Sequence, residues 1–104
     1  MTEQTPLSAT RVDLARSRID PVFLGSPLLR SDDRGFAVFA KDEIENPIRS
    51  FKGRGTAFFL SQSSKSGAPL VTASAGNFGQ GLAYNVARQG RALTVFASIN
   101  ANTR

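Results

Sequence analysis

Hydrophobic and polar positions repeat along the N-terminal region with the spacing of a helix. Val12, Ala15 and Ile19 would lie on one helical face, because they are separated by three and four residues. Ser8 precedes them and is a suitable N-cap, and Pro21 would end the helix. The pattern therefore predicts one short amphipathic helix, followed by an irregular stretch over residues 22–34 that is rich in turn-forming residues.

The rest of the chain alternates between short apolar runs and helical patterns. Apolar runs at residues 36–41, 70–73 and 92–97 predict strands. Helical patterns lie between them, from Ser50 to about residue 62 and from about Gly79 to Gly90. Strand, helix, strand, helix, strand is typical of an α/β fold with an open parallel sheet and helical crossovers.

This order of elements predicts two parts, residues 1–35 as an N-terminal helix and irregular arm and residues 36–104 as a partial α/β domain. A three-stranded parallel sheet needs helices on both faces, and the predicted helices barely provide them. Residues 98–104 resemble a loop that leads into a further helix. We therefore expect the sequence to be the truncated N-terminal portion of a larger domain.

Composition excludes several classes of chemistry. The 104 residues include no cysteine and no histidine. Disulfide frameworks, thiolate or imidazole metal sites and Ser-His or Cys-His catalysis are therefore excluded within the chain, and no metal site is expected. The N-terminus lacks the pattern of a signal peptide, and no apolar run approaches the ~20 residues that span a bilayer. A soluble cytoplasmic protein with no membrane partner is expected.

Charge is distributed unevenly along the chain. All eight acidic residues lie at or before Glu45, together with six of the basic ones, whereas residues 46–104 hold seven basic residues and no acidic one. A basic half could bind a polyanion such as nucleic acid, or a small anionic cofactor. The basic residues are scattered rather than clustered, so we expect a small anion and no nucleic acid.

Lys52 is the first candidate for chemistry, at the start of a predicted helix. Backbone N–H groups point outward there and the helix dipole is positive, which suits a phosphate group. Gly53 and Gly55 each cost about 1 kcal/mol relative to alanine inside a helix. A ligand approaching the backbone closely would explain them. The alternative is a solvated basic loop with glycines for a turn.

The second candidate is the glycine-rich segment 72–81, which joins a predicted strand to a predicted helix. Its N–H groups would face the carboxyl edge of the sheet, where such folds bind ligands, and could hold a phosphate or a carboxylate. Gly76, Gly79 and Gly81 give the spacing G-x-x-G-x-G, and no acidic residue follows Glu45. A dinucleotide site is therefore excluded. A tight turn without a ligand remains the alternative.

Together the two segments resemble the fold-type II pyridoxal-phosphate enzymes, which include threonine/serine dehydratases, threonine synthase, cysteine synthase and the tryptophan synthase β chain. The resemblance rests on Asn-Pro-x-x-Ser-Phe-Lys-x-Arg-Gly at residues 46–55 and Ser-Ala-Gly-Asn-x-x-Gln-Gly at residues 74–81. Ser26-Pro27-Leu28 is similar to the family's Thr-Pro-Leu. The resemblance extends from Thr10 to Arg104 and covers the leading part of a family member.

The resemblance implies a role for each matching residue. Lys52 would carry pyridoxal 5'-phosphate and move the proton at the substrate Cα, Phe51 would pack near the pyridine ring, and Asn77 would hydrogen-bond the ring hydroxyl. The residues that would hold the substrate carboxylate are Ser74, Ala75, Gly76 and Asn77. The cofactor would supply the electron sink.

The resemblance favours a lyase of the threonine/serine dehydratase kind, which eliminates water from a hydroxy amino acid to give a 2-oxo acid and ammonia. Gly53 supports this branch, because Asp-Arg commonly follows the lysine in the synthases, whereas Asn46-Pro47 also occurs in synthases and Phe78 replaces the dehydratases' usual histidine. A threonine synthase-like or cysteine synthase-like enzyme and a non-enzymatic anion-binding module stay open.

The resemblance also places part of the cofactor site outside this sequence. In the family, the phosphate-binding loop and the residue that faces the pyridine nitrogen lie downstream of the segments present before Arg104. We therefore expect this chain alone to be inactive. The full-length form would act on an amino acid as a homo-oligomer.

Overall fold

The computed structural model describes residues 7–63 and 67–102, which form three α-helices and four short strands. The elements in chain order are α1 (Ala9–Arg18), a 3-10 helix (Pro21–Phe23), β1 (Leu28–Ser31), β2 (Val38–Lys41), α2 (Lys52–Gln62), β3 (Leu70–Ala73), α3 (Asn77–Arg88) and β4 (Leu93–Phe96). No helix within these ranges is long and apolar enough to span a membrane.

Helix α1 begins as the sequence predicts. The Ser8 hydroxyl accepts a hydrogen bond of 3.2 Å from the Arg11 N–H, which satisfies one of the free donors in the first turn. The helix ends at Arg18, shortly before Pro21. It has no buried residue, and it contacts the rest of the chain through α2.

A hairpin forms where the sequence predicts an irregular stretch followed by a strand. β1 and β2 pair in antiparallel register, from Leu28 opposite Lys41 to Ser31 opposite Val38. The prediction that residues 36–41 join the parallel sheet is therefore wrong. The connection of six residues is too short for a parallel crossover, and Gly35 turns it with a φ of 77°.

The hairpin also bears on the predicted division of the chain. The boundary between residues 35 and 36 falls inside the turn that joins β1 to β2. The two-part division stays a prediction.

The α/β fold with a parallel sheet is confirmed, with two strands in that sheet rather than three. β3 and β4 pair in parallel, Leu70 opposite Leu93, and α3 forms the crossover between them. Leu60, Leu82 and Val86 form the buried core. Leu70 and Leu93 pack against that core, so one face of the sheet is covered by α2 and α3.

Two glycines allow close packing around the start of α2. A Cβ on Gly53 would overlap the Phe23 ring, and one on Gly81 would lie 3.1 Å from the Lys52 carbonyl oxygen. Apart from its chain neighbours and the backbone of α2 itself, no atom of the described residues lies within 4 Å of the corresponding position on Gly55. The sequence led us to expect that Gly53 and Gly55 make room for a ligand. At Gly53, the glycine instead makes room for the Phe23 ring.

Candidate functional site

Asn46 shapes the loop that leads to Lys52. Its Oδ1 accepts hydrogen bonds from the N–H groups of Ile48 (3.1 Å) and Ser50 (3.2 Å), and its Nδ2 donates to the Ser50 carbonyl (3.0 Å). Asn46 and Ser50 are both buried, and Arg49 between them has a φ of 53°. An asparagine that bonds its own backbone two residues on is a common way to fix a turn. The loop therefore has one defined path into α2.

A charged cluster supports the same loop from the side. Arg54 Nη1 donates to Glu43 Oε2 at 3.0 Å, and Ser26 and Asn46 donate to the same oxygen at 3.0 and 3.1 Å. Arg54 also donates to the Phe23 carbonyl at 3.3 Å. Glu43 Oε1 is buried and accepts no hydrogen bond from the described residues, although it lies 2.8 Å from Arg54 Nη1. The cluster joins the β1–β2 region to the first turn of α2.

The ionised form of Glu43 is favoured in this cluster. Burial by itself raises the pKa of the carboxyl group, whereas the hydrogen bonds it accepts and the positive charge of Arg54 lower it. The net result is a pKa below the ordinary value of a glutamate. Glu43 therefore acts as a fixed negative partner for Arg54.

Lys52 is the first residue of α2, and its side chain reaches solvent. Its backbone N–H donates to the Ser50 hydroxyl at 3.2 Å, and its Nζ lies 5.1 Å from the centroid of the Phe51 ring. Phe51 is 57% exposed. The amine predicted to carry a cofactor is therefore accessible, on a backbone held by the Asn46 loop and the Arg54 cluster.

The second segment forms a tight turn between β3 and α3. The Ser74 hydroxyl oxygen accepts hydrogen bonds from the N–H groups of Gly76 (3.3 Å) and Gly79 (3.0 Å). Gly76 is the N-cap of α3 and offers no side chain to the first turn. The N–H groups of Asn77 and Phe78 have no acceptor among the residues described. This is the usual condition of an open helix N-terminus that binds an anion.

A cavity of about 270 Å³ opens beside this turn. Its walls come from the turn itself, from α3, and from β4 and the segment after it. The described residues that line it are Ser74, Ala75, Gly76, Gly79, Gln80, Ala83, Val95, Ala97, Ala101 and Asn102. It lies at the carboxyl ends of the parallel strands, where α/β folds bind ligands.

The structure brings some of the predicted site residues together. Ser74, Ala75 and Gly76 share the cavity, and Asn77 follows them as the first residue of α3. Lys52 and Phe51 are not among the residues that line it. The two segments are linked through their helices, because α2 and α3 pack together with Gly81 against the Lys52 carbonyl. A single site shared by Lys52 and the 74–77 turn stays a prediction.

The residues fit a pyridoxal-phosphate group in their chemistry. An exposed amine on Lys52 can reach an aldehyde, and the open N–H groups at the start of α3 can receive an anionic group. The glycine at position 79 also fits this arrangement, because a Cβ there would lie 3.0 Å from the Ser74 Cβ and would disturb the turn.

Five residues shape the site in ways that the sequence did not predict. Asn46 and Arg54 were matched only as motif positions, and Glu43, Thr56 and Asn85 were not identified. The Asn46-Pro47 pair is a turn pattern that could have pointed to the loop. The Glu43–Arg54 and Thr56–Asn85 contacts join residues 11 and 29 positions apart, and no local pattern predicts them.

The chain is similar in sequence to known proteins. Residues 19–104 match the sequence model of the family described as "Pyridoxal-phosphate dependent enzyme". The chain is 41% identical over 85 residues to "L-threonine dehydratase biosynthetic IlvA" of Mycobacterium leprae, covering 76% of this chain and 20% of that protein.

Proteins of the same name in Mycobacterium bovis and Mycobacterium tuberculosis are 40% identical over 84 residues, covering 75% of this chain and 20% of theirs. The chain therefore spans about one fifth of the length of these relatives. The family match covers both candidate segments and most of the chain. The chain thus belongs to the pyridoxal-phosphate dependent enzyme family.

Proposed function

We propose that this chain supplies the cofactor-binding lysine and the substrate-carboxylate turn of a pyridoxal-phosphate-dependent lyase of the threonine/serine dehydratase kind. The observation that carries the proposal is the placement of the two segments at the N-termini of two helices packed against each other. Lys52 begins α2, Asn77 begins α3, and Gly81 brings α3 onto the Lys52 carbonyl. The names of the mycobacterial relatives support the choice of branch.

The cofactor, when bound, supplies an electron sink that makes the substrate Cα proton acidic. Lys52 would hold the cofactor through its amine and then accept or return the proton at Cα. Phe51, beside the amine, would cover one side of the cofactor ring, and Asn77 would donate to the ring hydroxyl oxygen. These roles use side chains that are exposed at the start of their helices.

The 74–77 turn would hold the substrate by its carboxylate. Two backbone N–H groups, those of Asn77 and Phe78, are free to donate, and the Ser74 hydroxyl, whose oxygen accepts two backbone N–H groups, still has its own proton to donate. Charge-assisted hydrogen bonds of this kind orient an anion without a charged side chain.

Absorbance spectroscopy tests the proposal. Pyridoxal 5'-phosphate added to the chain is expected to give the band of a covalent lysine–cofactor linkage, and Lys52→Ala should lose it. Lys41→Ala is the matched control, because Lys41 is an exposed lysine outside the proposed site. Equal bands in all three proteins would contradict the proposal. Threonine or serine turnover above the rate of free cofactor is not expected from this chain alone.

An anion-binding module without catalysis is distinguished by the same titration. That alternative draws on the open N–H groups at the start of α3. It predicts saturable binding of a carboxylate or phosphate that is unchanged by Lys52→Ala and gives no covalent linkage. Binding that requires Lys52 favours the enzyme.

A further inference from the structure

Two polar side chains are buried between α2 and α3. Thr56 is 1% exposed and Asn85 is 7% exposed. A hydroxyl and an amide cost free energy in such a place unless they are hydrogen-bonded, and apolar residues of similar size would fill the space more simply. The neighbouring core of Leu60, Leu82 and Val86 is apolar. Stability alone therefore does not explain why Thr56 and Asn85 are polar.

The two side chains form a continuous series of hydrogen bonds between the first turn of α2 and the second turn of α3. The Thr56 hydroxyl donates to the Lys52 carbonyl at 2.8 Å and accepts from Asn85 Nδ2 at 2.9 Å. The same Nδ2 lies 2.9 Å from the Gly81 carbonyl and 3.2 Å from the Gly53 carbonyl. One end of this series of hydrogen bonds is the Lys52 carbonyl. The other end is the Gly81 carbonyl, four residues after Asn77 in α3.

The directionality of these bonds fixes how α2 lies along α3. Apolar contacts between Leu60, Leu82 and Val86 favour burial but tolerate small slides of one helix on the other. Hydrogen bonds weaken steeply when their distance or angle changes. A slide of α2 along α3 would therefore break the Thr56–Asn85 bond before it exposed the core.

We propose that Thr56 and Asn85 are positioning residues that set the place of Lys52 relative to the 74–77 turn. They touch neither cofactor nor substrate, and they act through the backbone of α2 and α3. The proposal rests on the proposed function for the role of Lys52. The position of the two helices can be measured without any cofactor.

The first measurement uses spin labels, which need no cofactor. The chain has no cysteine, so Lys52→Cys with Asn77→Cys provides two unique labelling sites. Electron paramagnetic resonance is expected to give a narrow distance distribution in this background. Adding Thr56→Val with Asn85→Leu keeps the interface filled with apolar groups and should broaden or shift the distribution. Thr56→Ser alone in the doubly labelled background, which retains the hydroxyl and Asn85, should keep the narrow distribution.

The second measurement follows the cofactor in chains that retain Lys52. The loss of one net hydrogen bond corresponds to a change of about two- to tenfold in an equilibrium constant. Apparent affinity for pyridoxal 5'-phosphate should fall by this factor in Thr56→Val with Asn85→Leu, and not in Thr56→Ser. Leu93→Ala is the stability control, because Leu93 packs on the apolar core and takes no part in the hydrogen bonds of Thr56 and Asn85.

The two measurements separate the possible failures. An unchanged distance distribution in the folded double variant overturns the positioning role, whatever the cofactor does. A changed distribution supports it even if wild type forms no covalent linkage with the cofactor, in which case the proposed function fails and the positioning role stands. Equal loss of affinity in Leu93→Ala and in the double variant would show a general effect of stability and overturn the link to the site.

Discussion

At the scale of single residues, the site depends on polar groups that hold the backbone around Lys52. Asn46 fixes the loop before the lysine through three hydrogen bonds, and Glu43 holds Arg54 in the first turn after it. Lys52 itself makes no such contact with its side chain among the residues described, apart from its position near the Phe51 ring. The Lys52 amine is therefore accessible, while the backbone on either side of Lys52 is held in place.

Glu43→Gln should destabilise the fold by about 1–3 kcal/mol, because Arg54 would lose its charged partner in a largely buried place. The pKa of Glu43 is lowered in the folded state, so its stabilising contribution is present above the ordinary glutamate pKa of about 4.3 and is lost as pH falls through the folded value. Urea unfolding of both proteins between neutral and acidic pH checks this, and the difference should shrink on acidification.

Glu45→Gln is the control for this prediction. Glu45 is exposed, and no hydrogen bond or ion pair is formed by its side chain within the described part of the chain. Its substitution should change the free energy of unfolding by no more than about 0.5 kcal/mol. A Glu43→Gln effect that is equally small, or that grows as pH falls, would contradict the role given to the Glu43–Arg54 pair.

At the scale of elements, the contact between α2 and α3 determines where the two candidate segments lie. Gly81 is buried at this contact, and a Cβ there would lie 2.9 Å from the Thr56 hydroxyl oxygen and 3.1 Å from the Lys52 carbonyl oxygen. Neither group can move away easily, because one is backbone and the other belongs to a short side chain. The closeness of the helices therefore depends on this glycine.

Gly81→Ala should destabilise the fold by about 1–3 kcal/mol through overpacking, despite the better helix propensity of alanine. Gly55→Ala is the matched control, because it lies inside α2 with open space around its added methyl group. That control should be neutral or stabilise the chain by up to about 1 kcal/mol. Thermal or urea unfolding measures both, and equal effects of the two substitutions would refute the close-packing argument.

At the scale of the whole molecule, one face of the parallel sheet is not covered by any of the described residues. Leu70 and Leu93 point to the core, whereas Val71 and Phe96 on the other face are 69% and 64% exposed. Parallel sheets are usually covered on both faces, and exposed apolar area with open strand edges favours association. The described part of the chain therefore presents a surface suited to contact with other polypeptide.

We expect the isolated chain to self-associate at this face. Sedimentation velocity should give an apparent mass that rises with concentration, and Val71→Thr with Phe96→Thr should reduce the rise, because threonine keeps strand propensity while removing apolar area. Ile99→Thr is the control, since Ile99 is 99% exposed but lies outside the strands. A monomer at every concentration, with cooperative unfolding, would show that this apolar face does not cause self-association.

The sequence by itself determined the features that depend on neighbouring residues. The Ser8 cap, the three helices, the strands at residues 70–73 and 93–96 and the turn that leads into α3 at residues 74–81 all follow from local periodicity and turn chemistry. The two motifs and their order indicated the family, which the comparison then showed. These features are encoded within a few residues of where they occur.

Only the tertiary structure decided which distant residues meet. The pairing of β2 with β1, the Phe23 ring on Gly53, the Glu43–Arg54 pair and the Thr56–Asn85 bond each join segments that local periodicity treats separately. Periodicity says which side of an element is apolar, but not which other element covers it. The physical reason is that such contacts form only when whole elements pack, so their partners are fixed by shape and hydrogen-bond geometry in three dimensions.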